Sequence, residues 1–331
     1  KATAQAATMA KAYQGQMQMN GQTVSVTLPQ SIALALQNNR TLHQSQWDYE
    51  AAMAQVGAVT SGRNPSLSYG YSAAHGGTEV NGMSQSGNTF SHKLQVGVAL
   101  FNRALDAQIE AAKYSRDGSG AALTEAAQTA KLTAATNYLS LIMSRNKVSV
   151  AEQTVRDYEE HLKNANLQYE VGIVSKSDVL ATNTRLANAK TVLVEAKNAA
   201  SLAEAKFNNH VGLPVSTPVV TADKELTYVP YAISLEAAKS YGVAHRGAIV
   251  QAAMAVKSAE ENVSRANASD IPTVNASASR GMKGSQWAGN DSKDWSVGAT
   301  LSWNLWDGGQ SKANVSAAKA SLEKAKEGYA Q

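Results

Sequence analysis

From Trp295 to Asn304 the chain alternates. Trp295, Val297, Ala299, Leu301 and Trp303 take the odd positions; Ser296, Gly298, Thr300, Ser302 and Asn304 take the even ones. A period of two predicts a strand with one apolar and one polar face. The same pattern predicts three more strands. Leu67, Tyr69, Tyr71 and Ala73 alternate with Ser66, Ser68, Gly70 and Ser72. Leu94, Val96, Val98 and Leu100 share a face within 93–101, and Val274, Ala276 and Ala278 share one within 273–280. The stretches 75–91 and 281–293, rich in Gly, Asn and Ser, read as long exposed loops.

Elsewhere the periodicity is helical. A helix is expected from Ser31, as N-cap, to about Ser61, ended by Gly62-Arg63-Asn64-Pro65. Another runs over 103–170, with Asp117-Gly118-Ser119-Gly120 as the place for a kink. Its later part carries a heptad, Val148, Val155, Leu162 and Tyr169. After a turn at Val171-Gly172-Ile173-Val174-Ser175, a third helix covers about 177–211. Its heptad is Val179, Leu186, Leu193, Ala200 and Phe207, with Ala189, Ala196 and Ala203 at the complementary position. Two such helices joined by a short turn form an antiparallel coiled-coil hairpin roughly 50 Å long. Pro214, Pro218 and Pro230 mark a connector, then a helix is expected over 234–268 and a last one over 310–331.

The order helix, Pro, strand, loop, strand, helix therefore occurs twice, and Ala51-Ala52-Met53-Ala54 recurs as Ala252-Ala253-Met254-Ala255. The expected organisation is an extended segment over 1–30, a first repeat over 31–213, a connector over 214–233 and a second repeat over 234–331. That second repeat stops before its closing hairpin. Lys1 is read as a mature start.

Strands of about nine residues span a bilayer core when tilted. Four strands are too few for a pore, and open edges in lipid cost several kcal/mol per unpaired group. Membrane strands here would need other copies of the chain to close them. Three copies supply twelve strands. Tyr69, Tyr71, Trp295 and Trp303 then face lipid near the interfaces, together with Leu67, Leu94, Val96, Val98, Val274, Val297 and Leu301. Ser66, Ser68, Ser296, Thr300, Ser302 and Asn304 line a wet lumen.

Composition narrows the alternatives. The chain has 30 Lys and Arg against 26 Asp and Glu in 331 residues. A net charge of +4 with no basic cluster gives no case for nucleic acid. No apolar run is long enough for a transmembrane helix. The absence of cysteine removes disulfides, thiolate metal sites and a Cys nucleophile. No H-x-x-x-H pair exists; His75 and His92 flank one predicted loop but do not define a metal site. No G-x-S-x-G nucleophile motif and no G-x-x-x-x-G-K loop occur, and Asp307-Gly308-Gly309 reads as a bend with Asp307 capping the next helix. No enzyme, cofactor or metal is expected.

Three features resemble the TolC-like outer membrane efflux factors. The stretch from Asn166 through Val171-Gly172-Ile173-Val174-Ser175 to Asp178-Val179-Leu180 is similar to that family's tip. Leu301-Ser302-Trp303-Asn304-Leu305-Trp306-Asp307-Gly308-Gly309 is similar to its strand-to-helix junction, with Asn304 where the family often has Pro. The helix-Pro-strand passage, present twice, is the third. The resemblance implies a mainly α fold with β. Long antiparallel coiled-coil helices and four membrane strands per protomer build a trimeric 12-strand β-barrel, continued by an α-helical barrel through the periplasm. It also implies an exit duct in the bacterial outer membrane for tripartite efflux or type I secretion. The implied partners are two further copies of the chain, outer-membrane lipid, a periplasmic adaptor (membrane fusion) protein and an inner-membrane pump of the RND, ABC or MFS type. Val171, Gly172, Ile173, Val174 and Ser175 would meet the adaptor. The rival expectation is a periplasmic or surface coiled-coil protein of structural or adhesin-like kind, whose strands form a small soluble sheet.

Overall fold

The first helix begins at a reciprocal cap. The Thr27 hydroxyl accepts from the Gln30 N–H at 3.4 Å, and Gln30 Oε1 accepts from the Thr27 N–H at 2.8 Å. This capping box satisfies two donors that a helix start leaves bare. The start therefore lies at Leu28, ahead of the expected Ser31. Ser31 is buried inside the first turn, its hydroxyl donating to the Leu28 carbonyl at 2.7 Å. The computed structural model describes residues 23–223, 230, 232–287 and 291–331, and most of the expected 1–30 segment lies outside them. The chain divides into two compact units. One holds the described residues up to Gln46 and Leu123–Ser240; the other holds Trp47–Ala122 and Tyr241–Gln331.

In the first unit β1 (Val24–Val26) pairs in parallel with β4 (Val219–Thr221). Both strands fall where an extended segment and a connector were expected. Three residues are too few to show a period. Helix α1 (Leu28–Asn38) is followed by α2 (Arg40–Thr60). The expected single helix is broken at Asn39, whose backbone is extended. The Asn39 side-chain amide is engaged at both ends: Oδ1 accepts from the Leu42 N–H at 3.0 Å, and Nδ2 bonds to the His210 carbonyl at 3.0 Å and ring Nδ1 at 3.2 Å. The two coiled-coil helices are α3 (Arg103–Glu170) and α4 (Lys176–Val211). Val26, Leu34, Ala35, Ala134, Tyr138, Leu141, Ile142, Phe207, Val211 and Val219 form the core where they meet the strand pair. Arg145 ties this core to β4 by donating to Glu204 at 2.9 Å and to the Val219 carbonyl, while Glu204 accepts the Val219 N–H at 2.9 Å. Along the hairpin, Val155, Leu186 and Ala189 are buried, with Tyr158, Leu162 and Leu193 packed against them. These are heptad positions.

In the second unit a 3-10 turn (Ser61–Arg63) and Pro65 separate α2 from β2 (Ser66–Val80). β3 (Met83–Phe101) follows. The expected loop over 75–91 is instead the far end of this hairpin. Val80 pairs with Met83 across Asn81-Gly82, both at positive φ, the two-residue turn that suits twisted strands. α3 continues unbroken through Asp117-Gly118-Ser119-Gly120. A side chain at Gly118 would meet Met254 at 3.5 Å, and one at Gly120 would meet Tyr49 at 3.3 Å. These glycines let helices approach; they do not kink one. Helix α5 (Leu235–His245) bridges from the first unit's residues, and an extended Arg246 separates it from α6 (Gly247–Asn267), so the helix expected over 234–268 is also two. After a second 3-10 turn and Pro272 come β5 (Thr273–Gly284), β6 (Ser292–Ser302) and α7 (Gln310–Ala330), which packs on α6. The expected loop over 281–293 is shortened at both ends, since β5 runs to Gly284 and β6 begins at Ser292, and its residues 288–290 lie outside the described ones. Among the described residues no helix is long and apolar enough to cross a membrane.

Candidate functional site

The four long strands make one antiparallel sheet in the order β2-β3-β5-β6. Paired residues of an antiparallel ladder share a face, so the register sorts every side chain. Leu67, Val96, Ala278 and Val297 form one cross-strand row. Val98, Ala276 and Ala299 form the row nearer the helices, and Phe101, Val274 and Leu301 the row below that. On the other side lies Tyr69, Leu94, Arg280 and Trp295, then Tyr71, His92, Met282 and Lys293. These rows make one continuous face. Its apolar members on the two outer strands are open, Leu67 69% exposed, Val297 74% and Trp295 78%, while Val98, Val274, Ala276 and Ala278 on the inner strands are half-buried.

The opposite face carries Ser66 with Gly97, Ser68 with Gln95, Ser279 with Ser296, and Asn275 with Thr300. Ser302 pairs with Thr273 at its lower end. Hydroxyls bond across it, Ser72 to Ser91 at 2.6 Å and Ser279 to Ser296 at 2.9 Å. Sequence alternation fails at one place. The ladder shifts between Ala99 and Phe101, so Phe101, not Leu100, sits opposite Val274. One bulged residue re-aims those after it. Trp303 and Asn304 follow the last paired residue, Ser302; the Trp303 indole N–H donates to the Asp270 carbonyl at 3.0 Å.

β2 and β6 are the outer strands of the sheet, each bonded on one side only. The helices that flank the two hairpins, α2, α3, α6 and α7, join at the same end, through Ser66, Phe101, Thr273 and Ser302. Both hairpin connections lie at the other. There the β2–β3 ribbon runs past β5, whose last pair with β3 is Gly284 with Phe90. Below Trp303, Asp307 organises the re-entry into helix. Its carboxylate accepts from the Gly309 N–H at 3.0 Å, the Ser311 N–H at 2.7 Å and the Ser311 hydroxyl. These bonds hold the Asp307 carboxyl below its ordinary pKa. Gly308 and Gly309 take φ of 69° and 97°, open to glycine at little cost.

The second element of interest is the hairpin tip in the first unit. The Ile173 N–H donates to Gln168 O at 2.8 Å and the Gly172 N–H to Tyr169 O at 3.0 Å, the bonds of a Schellman end with glycine in the left-handed region, φ 79°. Ser175 then caps α4. Its hydroxyl accepts from the Asp178 N–H, while Asp178 Oδ2 accepts from the Ser175 hydroxyl at 2.7 Å and N–H at 3.0 Å. Hydrogen bonds from Ser175 pull the Asp178 carboxyl below its usual pKa. Val171 and Ile173 are 70% and 72% exposed at the apex, Val174 is half-buried, and nothing lies within 4 Å of where a Gly172 side chain would start.

His75 and His92 belong to the ladder, bonded to Asn88 and Tyr69 at 2.8 and 2.7 Å. No group of three or more His, Cys, Asp or Glu suited to a metal occurs among the described residues.

A fold of this kind is found in solved bacterial membrane proteins. A membrane protein from Pseudomonas aeruginosa is 20% identical, with a TM-score of 0.80, the likeness covering 91% of this chain and 72% of that one. The CmeC outer membrane channel of Campylobacter jejuni is 18% identical, with a TM-score of 0.78 over 91% of this chain and 66% of that one. The outer membrane protein VceC of Vibrio cholerae is 18% identical, with a TM-score of 0.75 and coverage of 91% and 74%. At such identities the likeness establishes the TolC-like fold. No curated protein matches the chain. The family model of the outer membrane efflux proteins matches residues 31–213 and 243–331, which hold the four-stranded sheet and the hairpin tip alike. The chain belongs to the outer membrane efflux protein family, and is an efflux channel of the bacterial outer membrane rather than an enzyme.

Proposed function

We propose that three copies of this chain close one twelve-stranded barrel and serve as the exit duct of a tripartite efflux system. The observation that carries this reading is a four-stranded sheet with two open edges and one exposed apolar face. In hydrocarbon each unpaired backbone group costs several kcal/mol, so both edges must be paired. β2 leaves the helical end and β6 returns to it, so β6 of one copy meets β2 of the next in the antiparallel sense. The face of Leu67, Tyr69, Tyr71, Leu94, Val96, Val98, Val274, Trp295, Val297 and Leu301 turns to lipid, with Trp303 at its lower margin. The face of Ser66, Ser68, Ser296, Thr300 and Ser302 lines the lumen, with Asn304 below. From Trp295 to Trp303 the strand rises about 27 Å at ~3.4 Å per residue. With a barrel tilt of ~40° this is about 20 Å of height, near the apolar band of an outer-membrane barrel.

The exposed tip, Val171, Gly172, Ile173, Val174 and Ser175, is the surface we assign to a periplasmic adaptor. An inner-membrane pump of the RND, ABC or MFS type supplies the energy; the duct itself is passive.

Substitution on the two faces tests the barrel. Val297→Arg places a cation inside the apolar band on the lipid side, between the Trp295 row and the midplane, at a cost of about 1–3 kcal/mol. It is expected to cut the membrane-inserted, cross-linkable trimer severely, whereas Ser296→Arg on the neighbouring lumen position leaves insertion intact. A monomer that stays in solution without detergent, or equal insertion of both variants, rejects the reading.

A further inference from the structure

We propose that the outward face carries a site for a phosphate-bearing lipid headgroup at its hairpin end, held by Arg280 and Lys293; this rests on the barrel reading above. The register places Arg280 opposite Trp295 and Lys293 opposite Met282, in consecutive rows of the apolar face. The two cations are therefore diagonal neighbours across β5 and β6, with Cα atoms about 7–8 Å apart. Both are exposed, and neither has an ion-pair partner among the described residues.

Two like charges at that spacing repel unless an anion lies between them. The sheet supplies none beside them on this face, and the carboxylate of Asp291, two residues before Lys293, is engaged by the Ser285 N–H at 2.8 Å and hydroxyl at 3.0 Å. The sheet's one carboxylate of the same parity is Glu79, paired with Ser84 four rows farther out than Tyr71 and His92. The polar face differs. There Lys93 and Asp294 flank Gly281 in one row, so a carboxylate stands among the lysines.

The surroundings fit a headgroup rather than a free ion. On the helical side of the two cations lie only apolar rows, down to Leu301. Beside them sit Tyr69, Tyr71 and Trp295, and Trp287 packs edge-on against Tyr71 with ring centroids 5.2 Å apart. Tyr and Trp settle where acyl chains give way to headgroups. The guanidinium is suited to a bidentate grip on phosphate and the ammonium to a point contact. Because the hairpin connections lie at this end and the helices that flank each hairpin join at the other, the site faces the outer leaflet.

The test uses purified protein in dodecyl maltoside micelles, with diphosphoryl lipid A as the probe and retained lipid counted by native mass spectrometry. The wild-type trimer is expected to retain the probe, and to retain its dephosphorylated form at least tenfold less. Arg280→Gln with Lys293→Gln is expected to lose about tenfold in retention while remaining trimeric. Lys93→Gln with Lys283→Gln, on the polar face, keeps the wild-type level. Unchanged retention by the first pair, equal retention of the dephosphorylated lipid, or displacement of the probe by an equal concentration of inorganic phosphate overturns the headgroup site and leaves the barrel standing. A chain that forms no trimer in micelles overturns both.

Discussion

Gly212 shows how far one residue can be read in advance. In the sequence Gly212-Leu213-Pro214 is a stop signal, and α4 does end there, with Gly212 at φ 77°. What the sequence conceals is the neighbour. A side chain on Gly212 would lie 2.5 Å from Asn38 Cβ and 3.0 Å from the Asn38 carbonyl. Gly212→Ala combines left-handed strain with a steric conflict, and is expected to cost about 2–4 kcal/mol and lower Tm by several degrees on a detergent melting curve. The same division holds for Ser31 and Thr27. Both are good caps by type, and only the reciprocal bond with Gln30 decides for Thr27. Asn81-Gly82 is the opposite case: the Asn-Gly pair is plain in the sequence, but the residues around it, Gly76-Gly77-Thr78-Glu79 and Ser84-Gln85-Ser86-Gly87, lack apolar alternation, so the ribbon reads as a loop.

At the scale of elements, what was legible was whatever repeats with a period. The heptads mark Val155, Leu186 and Ala189, the buried positions of the hairpin, and alternation marks the lower halves of all four strands. Elements too short for a period, β1 and β4, left no trace. Nor did the continuity of α3 through Gly118 and Gly120, which depends on Met254 and Tyr49, far away in sequence. The start of α4 carries a pH dependence. The Asp178 pKa is depressed from its ordinary 3.8, first by the Ser175 hydroxyl and then by the Ser175 N–H. A carboxyl with a lowered folded pKa stabilises above its unfolded value, and that contribution disappears as pH falls through the folded one. Amides of Ser175 to Val179 are therefore expected to lose hydrogen-exchange protection as pH falls below the ordinary carboxyl value of 3.8, after correction for intrinsic rates. In Asp178→Asn protection is lower at the start, and this step is absent. An undiminished pH response in the variant refutes the role of the cap.

For the whole molecule, the two open strands carry the proposal of a ring of copies, and the exposed tip carries that of a docked partner. Gly172→Trp separates these. No atom stands within 4 Å of where the new Cβ would sit, so the local cost expected is the strain of a positive φ, about 1–3 kcal/mol. The trimer and its insertion are expected to survive while export fails, read as restored drug susceptibility in cells lacking any other such channel; normal export in this variant removes the tip from the proposed docking surface. Membership of the helix-strand pattern was legible because each copy obeys the same rules of period and punctuation. The identity of the neighbours was not, since open edges describe what is missing and never name the surface that fills it. The unequal hairpins have a practical consequence. The β2–β3 ribbon overtops β5 and β6, so the Asn81-Gly82 turn is where a grafted peptide would protrude farthest into the surrounding medium. A short epitope inserted there would label living cells without touching the pore wall.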